Sequence, residues 1–298
     1  MRASLIMVAA PDSLRHKQRN FFDSILAQSH PHDDFELILV DGEDGPATTA
    51  AMAAFRAHHP AVAASLVHCP SRARAAANNL AASRAAGEIL IFLADDFDPA
   101  PGLVAAHVAY HALNPDPDAV GIGPGLFPEE LRQDFFARWA EDSGHIFGVP
   151  MRRVMAVWPR DYFYAGNASI RREKFDALGG FDERFPHDAW DDHEFGLRWA
   201  ASGGYSQFLA TAAATHRHAV SFAERCTAME HAGESARVLE QIHPDLEHGW
   251  RAMLRGGPQV LRTVPATDAP EHAWIAYFSE HLNAAFRRGY LGRASPLA

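Results

Sequence analysis

The stretch ILIFLADDFD, residues 89–98, decides the fold and places a candidate site. Its first five residues are all apolar, which is typical of a strand in a parallel sheet that is covered on both faces. Three carboxylates follow at once, Asp95, Asp96 and Asp98. Because ligands of such sheets bind beyond the carboxyl ends of the strands, this one stretch predicts both a central strand and the acids of a site.

Outward from this stretch, predicted strands and helices alternate. The predicted strands are residues 4–9, 35–40, 65–68, 89–93 and 119–122, and the predicted helices are 15–28, 48–58, 71–86 and 101–113. Such alternation indicates an α/β fold with a mostly parallel, Rossmann-like sheet flanked by helices. Asp41 follows the second strand, so we expect it at the same edge of the sheet as Asp95 and Asp96.

Beyond residue 122 the pattern is less regular. We predict helices at 129–141, 171–178 and 192–201, strands at 162–170 and 205–210, the latter as the last strand, and helical structure from 215 to the end with a break near 256–270. The apolar residues at 272–291 recur at helical spacing. They could pack on the chain's own domain, pair with a second copy in a homodimer or lie on a membrane surface, and we rank these alternatives in that order.

Composition excludes several classes of protein. The net charge is −10, without a dense basic block, which argues against binding to nucleic acid. No apolar run approaches the roughly 20 residues of a membrane span. The chain starts directly with a strand pattern, so we expect no signal peptide. Cys69 and Cys226 cannot form a disulfide framework, and we therefore expect a reducing, cytoplasmic location.

Two clusters of residues suggest a metal site. The carboxylates at 95–98 suit a hard divalent cation, although a solvated turn with an aspartate capping the next helix is the favoured alternative on this stretch alone. His216 and His218, in the sequence THRHA, could complete a site of carboxylate and imidazole ligands. A surface or packing role is the alternative for these histidines.

The segment WDDHE, residues 190–194, offers a general base. Asp191 and Glu194 also fit a helix capping box, and Glu194 with Arg198 fits an ion pair between residues four apart in a helix. Asp192 is the acid that these structural roles leave unexplained.

The order of these motifs carries a resemblance. From about residue 4 to 220, the segments SLIMVA, SILAQSHPHDDFELILVDG, NNLAASRAAGEILIFLADDFDPAPG, YAGNASIRREKFDALGGFDERF, WDDHEFGLRWAASGG and THRHA resemble the family 2-like glycosyltransferases of the GT-A fold. The resemblance implies inverting transfer of a sugar from a nucleoside diphosphate sugar, with a UDP-sugar as the expected donor. It also implies a saccharide or other hydroxyl acceptor and a bound Mn²⁺ or Mg²⁺ ion.

The resemblance also assigns roles to residues. Asp192 corresponds to the catalytic base, and Asp96 with His216, or less well His218, corresponds to the metal ligands. Nucleotide contacts are expected from Asp41, Arg74, Asn78, Asp95 and Asp96. Contacts to the donor sugar or the acceptor are expected from Gly166, Asn167, Gly180, Phe181, Asp182, Trp190 and Asp191. Residues 1–122 would form the nucleotide-sugar half, 123–220 the acceptor and catalytic half, and 221–298 a helical C-terminal extension.

Departures from the family pattern leave an alternative open. Ala94 stands where the first acid of the Asp-x-Asp motif usually stands, and Asn78 where an arginine often precedes Asn79. The first departure motivates a catalytically silent nucleotide-sugar-binding or interaction module with the same fold. The presence of Asp192 argues against that module, because binding alone needs no base. A nucleotidyltransferase would need a glycine-rich and basic loop after the first strand, and residues 10–13 supply neither.

Overall fold

The structure is a computed structural model that describes residues 1–9, 22–41, 46–71, 73–149, 151, 159, 162–247, 249–254 and 261–292. The strands are β1 Ala3–Ala9, β2 Phe35–Asp41, β3 Ala63–His68, β4 Ile89–Ala94, β5 Phe97–Pro99, β6 Ala119–Ile122, β7 Gly125–Leu126, β8 Asn167–Arg171, β9 Tyr205–Phe208 and β10 Ala214–His216. The helices are α1 Pro46–His58, α2 Arg74–Arg84, α3 Leu103–Leu113, α4 Phe135–Asp142, α5 Arg172–Ala177, α6 Asp191–Ala201, α7 Phe222–Ile242 and α8 Glu271–Leu291.

Shorter helical elements complete this set. Residues 22–26 are helical and belong to the helix predicted at 15–28. Residues 15–21 of that predicted helix lie outside the described residues. Two 3₁₀ helices lie at Leu131–Gln133 and Gly249–Leu254.

A seven-stranded sheet with the order β3-β2-β1-β4-β8-β6-β9 forms the centre of the molecule. Its neighbouring strands are parallel, except that β8 runs antiparallel to both β4 and β6. In the register of the sheet, Asp41 lies beside Ala9, and Ala94 lies beside Val8. The carboxyl ends of β1, β2 and β4 therefore share one edge, as the sequence predicts.

The central strands are buried on both faces, which is why they read as uninterrupted apolar runs. Leu5, Leu37 and Ile91 belong to one hydrophobic cluster, while their chain neighbours point into a second cluster on the opposite face. Each of these three side chains is completely buried, which corresponds to about 1.5–3 kcal/mol of transfer free energy per residue. The sheet is thus a stiff support for the loops at its edge.

A second sheet of three short strands, with the order β5-β10-β7, corrects two sequence predictions. Residues 97–99 form a strand rather than part of a solvated turn, and the last strand is β10 rather than the segment 205–210. In this sheet His216 pairs with Phe97 and Thr215 with Asp98. Strands of two or three residues carry no readable alternation, so only the pairing of distant segments reveals them.

The C-terminal helices pack tightly on each other. Helix α7 begins with a capping box in which Ser221 and Glu224 satisfy each other's backbone N–H groups. A Cβ atom on Gly233 would lie 2.1 Å from the Phe286 carbonyl oxygen, and one on Gly289 would lie 1.8 Å from the Glu230 carbonyl oxygen. Only glycine at these two positions allows so close an approach of α7 and α8.

The apolar side of α8 packs on the rest of the same chain. Phe278, Leu282 and Phe286 are buried in a cluster with Phe136 of α4 and with Phe222 at the start of α7. This intramolecular packing is the fate that the sequence ranks first, and the homodimer stays a prediction. Among the helices of the described ranges, none combines the length and the apolar character needed to cross a bilayer.

Candidate active site

The first cluster of the site, which we call the metal corner, consists of Asp96, His216 and His218. The pairing of β5 with β10 places His216 Nε2 2.8 Å from Asp96 Oδ2, and His218 Nδ1 lies 3.9 Å from the same oxygen. The three side chains offer ligand atoms that all lie within 4.8 Å of one another. The structure thus brings together the three residues predicted as metal ligands.

The surroundings of the metal corner hold His216 in one orientation. Its ring is buried and contacts Phe97, Phe127 and Phe147, with centroid distances of 5.2, 4.9 and 5.6 Å. His218 is half exposed and is less constrained. One carboxylate and two imidazoles form a donor set that fits Mn²⁺ better than Mg²⁺, because Mg²⁺ prefers oxygen ligands and bound water.

The neighbouring acids of the 95–98 segment have different surroundings. Asp98 forms an ion pair with Arg217, and the backbone N–H of Arg217 donates to the Asp96 carbonyl at 3.1 Å. The capping role considered for this segment is wrong, because α3 has Gly102 at its N-cap and no side-chain cap. Asp95 lies in the turn between β4 and β5 and stays a predicted nucleotide contact.

The second cluster, which we call the base corner, consists of Arg74, Asp191 and Asp192. Asp192 is mostly buried; its Oδ1 accepts a hydrogen bond from the His193 N–H at 2.8 Å, and its Oδ2 accepts a longer one from the Ala165 N–H at 3.4 Å. Burial raises the pKa of Asp192 to about 6, the charge of Asp191 acts in the same direction, and Arg74 opposes both. A carboxylate with this pKa is ionised at neutral pH and is more basic than an exposed aspartate.

Asp191 has an electrostatic role instead of the predicted capping role. Arg74 Nη2 and Nε donate to its two carboxylate oxygens at 2.7 and 3.3 Å, while Arg74 Nη2 lies 3.9 Å from Asp192 Oδ2. Helix α6 has Trp190 at its N-cap and no side-chain cap, so the capping box with Glu194 is wrong. Arg74, which we predicted as a nucleotide contact, is thus held against the two acids of α6.

The remaining prediction for this helix is confirmed. Glu194 accepts hydrogen bonds from Arg198, at 2.8–2.9 Å, as the spacing of four residues predicts. Arg198 also donates to the carbonyls of Leu178 and Gly180, at 2.6 and 2.7 Å. This arginine therefore joins α6 to the glycine turn that follows α5.

That glycine turn is also held by Asn79, a residue that sequence reasoning did not assign. The Asn79 side chain accepts a hydrogen bond from the Phe181 N–H at 2.8 Å and donates to the Phe181 carbonyl at 2.9 Å. Gly180 has a φ of +73°, and a Cβ atom there would come within 2.5 Å of Asn79 Oδ1. The Phe181 ring lies in the core, and Asp182 is paired with Arg184 at 2.6 Å.

Gly166 and the side chain of Asn167 are covered by other parts of the protein. Asn167 is completely buried: its amide donates to the carbonyls of Ala212 and Pro124, at 2.8 and 3.2 Å, and its Oδ1 lies 3.0 Å from His107 Nε2. Gly166 lies under the ring of Tyr164. Asn167 thus holds neighbouring segments of the chain together, and we infer a supporting role for it in the site.

The nucleotide contacts predicted in the first half of the chain have different surroundings. Asp41 borders a cavity of about 320 Å³ between α1 and the edge strand β3, together with Thr49, Met52, Ala53, Arg56, Leu66 and His68. Asn78 is buried in α2, whose alanines pack on the opposite face of the sheet. Asp41 and the start of the 95–98 segment lie at the same edge of the sheet, whereas Asn78 belongs to the helix that covers one face of the sheet.

Three hydrogen bonds join α7 and His243, the residue after it, to the segment 187–194 that contains the two acids of the base corner. Trp190 Nε1 donates to the Ala232 carbonyl at 2.8 Å, His187 Nε2 lies 2.6 Å from Glu234 Oε2, and His243 Nε2 lies 3.1 Å from Glu194 Oε1. Trp190 has a φ of 71°, unlike every other non-glycine residue that the structure describes. A backbone in this region costs of order 1–3 kcal/mol, so the contacts around it must hold it in place.

Comparisons with known proteins concern the fold and the family of this chain. Over 204 residues the chain is 33% identical to the O-antigen biosynthesis protein RfbC of Myxococcus xanthus. The matched region covers 65% of this chain but only 15% of the length of that protein. Among solved structures, the mannosyltransferase PcManGT of Pyrobaculum calidifontis matches 98% of this chain and 73% of its own, with a TM-score of 0.57 and 21% identity. S. aureus TarS, residues 1–349, matches 85% of this chain and 69% of its own, with a TM-score of 0.58 and 16% identity.

The two solved structures show the fold, which is the GT-A architecture that the motifs predict. The family itself is shown by sequence, because the family model described as "Glycosyl transferase family 2" matches residues 18–179, more than half of the chain. The chain therefore belongs to glycosyl transferase family 2.

Proposed function

We propose that this chain transfers a sugar from a nucleoside diphosphate sugar to an acceptor hydroxyl with inversion of configuration. Structural neighbours support a nucleotide-sugar donor: PcManGT is described in complex with GDP-Man and Mn²⁺, and TarS with UDP and with UDP-GlcNAc. A UDP-sugar is the first donor to test. The acceptor is a saccharide or another hydroxyl compound.

The base corner carries this proposal. In the transfer, a bond forms between the acceptor oxygen and the anomeric carbon while the bond to the diphosphate breaks, and the hydroxyl proton needs an acceptor. Asp192 can take this proton, because its carboxylate is ionised near neutral pH and has its pKa raised to about 6. Its two backbone hydrogen bonds fix the carboxylate, so it is oriented before a substrate arrives.

Arg74 and Asp191 hold Asp192 in its working state. Two adjacent carboxylates repel each other, which disfavours ionisation of both at once. The bidentate contact of Arg74 to Asp191 compensates the charge of Asp191 and leaves Asp192 as the acid that titrates. The ion pair thus gives Asp191 a structural role and leaves Asp192 to accept the proton.

The metal corner would hold the divalent cation through Asp96 and His216, with His218 as a further ligand. A bound cation supplies Lewis-acid stabilisation of the diphosphate leaving group. The buried His216 ring, fixed by three aromatic contacts, restricts where that cation can sit. We assign the nucleoside to Asp41 and the cavity beside it, and the position of Asp41 at the carboxyl end of β2 supports this assignment.

A donor screen tests the proposed function. Thermal shifts would be measured with UDP-GlcNAc, UDP-glucose, GDP-mannose and other common nucleotide sugars, each with and without Mn²⁺, since a ligand that binds only the folded state raises its stability. We expect one nucleotide to stabilise the protein only when Mn²⁺ is present, and the free nucleoside diphosphate to accumulate with acceptor. Binding without release of that product, across a broad acceptor panel, would instead support the silent binding module.

A further inference from the structure

Residues 164–166 connect the base corner to the end of β4. The Ala165 N–H donates to Asp192 Oδ2 at 3.4 Å, and the Gly166 carbonyl accepts a hydrogen bond from the Ala94 N–H at 3.0 Å. Ala94 directly precedes the acids of the 95–98 segment. The backbone of Tyr164 therefore lies between the candidate base, Asp192, and the end of β4, which leads into the metal corner.

The ring of Tyr164 is held in one place. It stacks on Tyr162 with a centroid distance of 6.3 Å and contacts Phe97 and Phe147 at 6.4 and 6.0 Å. These two phenylalanines also contact His216. A Cβ atom on Gly166 would lie 2.4 Å from the Tyr164 hydroxyl oxygen, so glycine at this position gives the ring its space.

The hydroxyl of Tyr164 differs from that of its neighbour. The Tyr162 hydroxyl donates a short hydrogen bond to the Phe147 carbonyl, whereas no group in the described ranges forms a hydrogen bond with the Tyr164 hydroxyl. Burial raises the pKa of Tyr164 well above its usual value, and the charges of Asp96 and Asp192 add to this effect. Tyr164 therefore keeps its proton and is a hydrogen-bond donor at every working pH.

We propose that the Tyr164 hydroxyl donates a hydrogen bond to an oxygen of the sugar that is transferred, and so contributes to donor-sugar specificity. This inference rests on the proposed function. The transferred sugar must lie between the leaving diphosphate, at the metal corner, and the acceptor hydroxyl, at Asp192. A fixed donor between these two groups faces the sugar ring and not the nucleoside. Tyr164 also packs against Gly166, for which the family resemblance implies a contact to the donor sugar or the acceptor.

The test compares Tyr164→Phe with Tyr162→Phe, since both variants remove one hydroxyl and keep the ring. Calorimetry would measure the affinity for UDP and for the UDP-sugar that the donor screen selects, both with Mn²⁺. For a GDP-sugar, GDP takes the place of UDP. We expect Tyr164→Phe to keep UDP affinity and melting temperature, and to lose about 3- to 10-fold in nucleotide-sugar affinity and kcat/KM, the range of one neutral hydrogen bond.

Tyr162→Phe provides the matched control. It breaks the contact to the Phe147 carbonyl, so we expect a lower melting temperature and an unchanged ratio of nucleotide-sugar to nucleotide affinity. Monodeoxy analogues of the donor sharpen the test: wild type should discriminate against the analogue that lacks the contacted hydroxyl, and Tyr164→Phe should not.

Several results would overturn the inference. If wild type transfers sugar and Tyr164→Phe does so at an unchanged kcat/KM with unchanged discrimination, Tyr164 does not contact the sugar. If UDP affinity falls by the same factor as nucleotide-sugar affinity, the hydroxyl serves the nucleotide instead. If wild type transfers no sugar from any donor, the proposed function fails first and the inference falls with it.

Discussion

The base corner and the metal corner differ in how the negative charge of their acids is balanced. In the base corner the chain supplies both signs of charge, since Arg74 pairs with Asp191 at 2.7 Å and leaves Asp192 to titrate. In the metal corner Asp96 contacts the imidazoles of His216 and His218, which we propose as its fellow metal ligands. On the proposed function, the base corner is preset by the protein, whereas the metal corner would be completed by a cation.

The largest effect is expected when the titrating acid of the base corner is replaced. Asp192→Asn retains shape and hydrogen bonding but cannot accept a proton at neutral pH. Steady-state transfer should therefore fall by about 10²- to 10⁴-fold, the usual contribution of general base catalysis. The measurement is product formation at saturating donor and acceptor.

Asp191→Asn is the matched control for that variant. Breaking a buried ion pair destabilises the fold by about 3–5 kcal/mol, so its melting temperature should fall. Loss of the Asp191 charge also lowers the pKa of Asp192, and transfer should persist at neutral pH in the folded protein. The reverse pattern, with Asp191→Asn inactive and Asp192→Asn active, would show that Asp191 is the base.

The next effect concerns the metal corner. His216→Ala removes its most constrained ligand, so the Mn²⁺ concentration required for half-maximal transfer should rise by roughly tenfold or more. His272→Ala, at an exposed position of α8, should leave this concentration unchanged. Equal Mn²⁺ requirements for His216→Ala and wild type would exclude His216 as a ligand, as would full activity of the wild type in excess chelator.

A smaller effect is expected from pH. Because the pKa of Asp192 is raised to about 6, the base is ionised above that pH and protonated below it. The rate should therefore be constant in the neutral range and fall by about tenfold per pH unit below pH 6. A pH–rate profile of the wild type measures this limb, and Asp192→Asn should lack it.

Acid also weakens the fold, so stability must be followed in the same range. Burial lowers the pKa of His107 to about 4, and the unfolded chain binds that proton near pH 6.5. The contribution of His107 to stability is thus complete above pH 6.5 and declines by about 3 kcal/mol as the pH falls to 4. Melting temperatures across the range separate titration of the base from unfolding.

The smallest effect concerns the contact between α7 and the base corner. Trp190→Phe removes the hydrogen bond to the Ala232 carbonyl but keeps an aromatic ring. We expect kcat to fall by about two- to threefold while the KM for the donor is unchanged, because a bond that acts on the acids only through the backbone transmits part of its about 0.5–1.5 kcal/mol to the transition state. Trp274→Phe, in α8, offers the same substitution away from the acids, and it should leave kcat unaltered.

How much of this could be predicted from sequence depends on the range of the interactions. The alternation of β1, β2 and β4 with helices is a local pattern, and the sheet confirms it. The meeting of Asp96 with His216 depends on strands only three residues long. Pattern reasoning could not find those strands, and the resemblance to a family supplied the pair instead.

The base corner shows the opposite limit. Sequence reasoning explained Asp191 by a local rule, the capping box, and the structure replaces this with a contact to Arg74 across 117 positions of the chain. Asn79 has no assignment from the sequence, since its role arises from the packing of distant segments. Local rules failed at the residues where the site departs from ordinary helix and loop structure.

The most direct test of the contrast between the two corners is the affinity for UDP, or for GDP if the donor screen selects it, in the presence of Mn²⁺. It would be measured side by side for wild type, Asp192→Asn and His216→Ala by calorimetry. We predict that Asp192→Asn binds the nucleotide as wild type does and that His216→Ala binds it at least about tenfold more weakly. Equal losses in both variants, or a loss confined to Asp192→Asn, would contradict the division of the site into a preset base corner and a cation-completed metal corner.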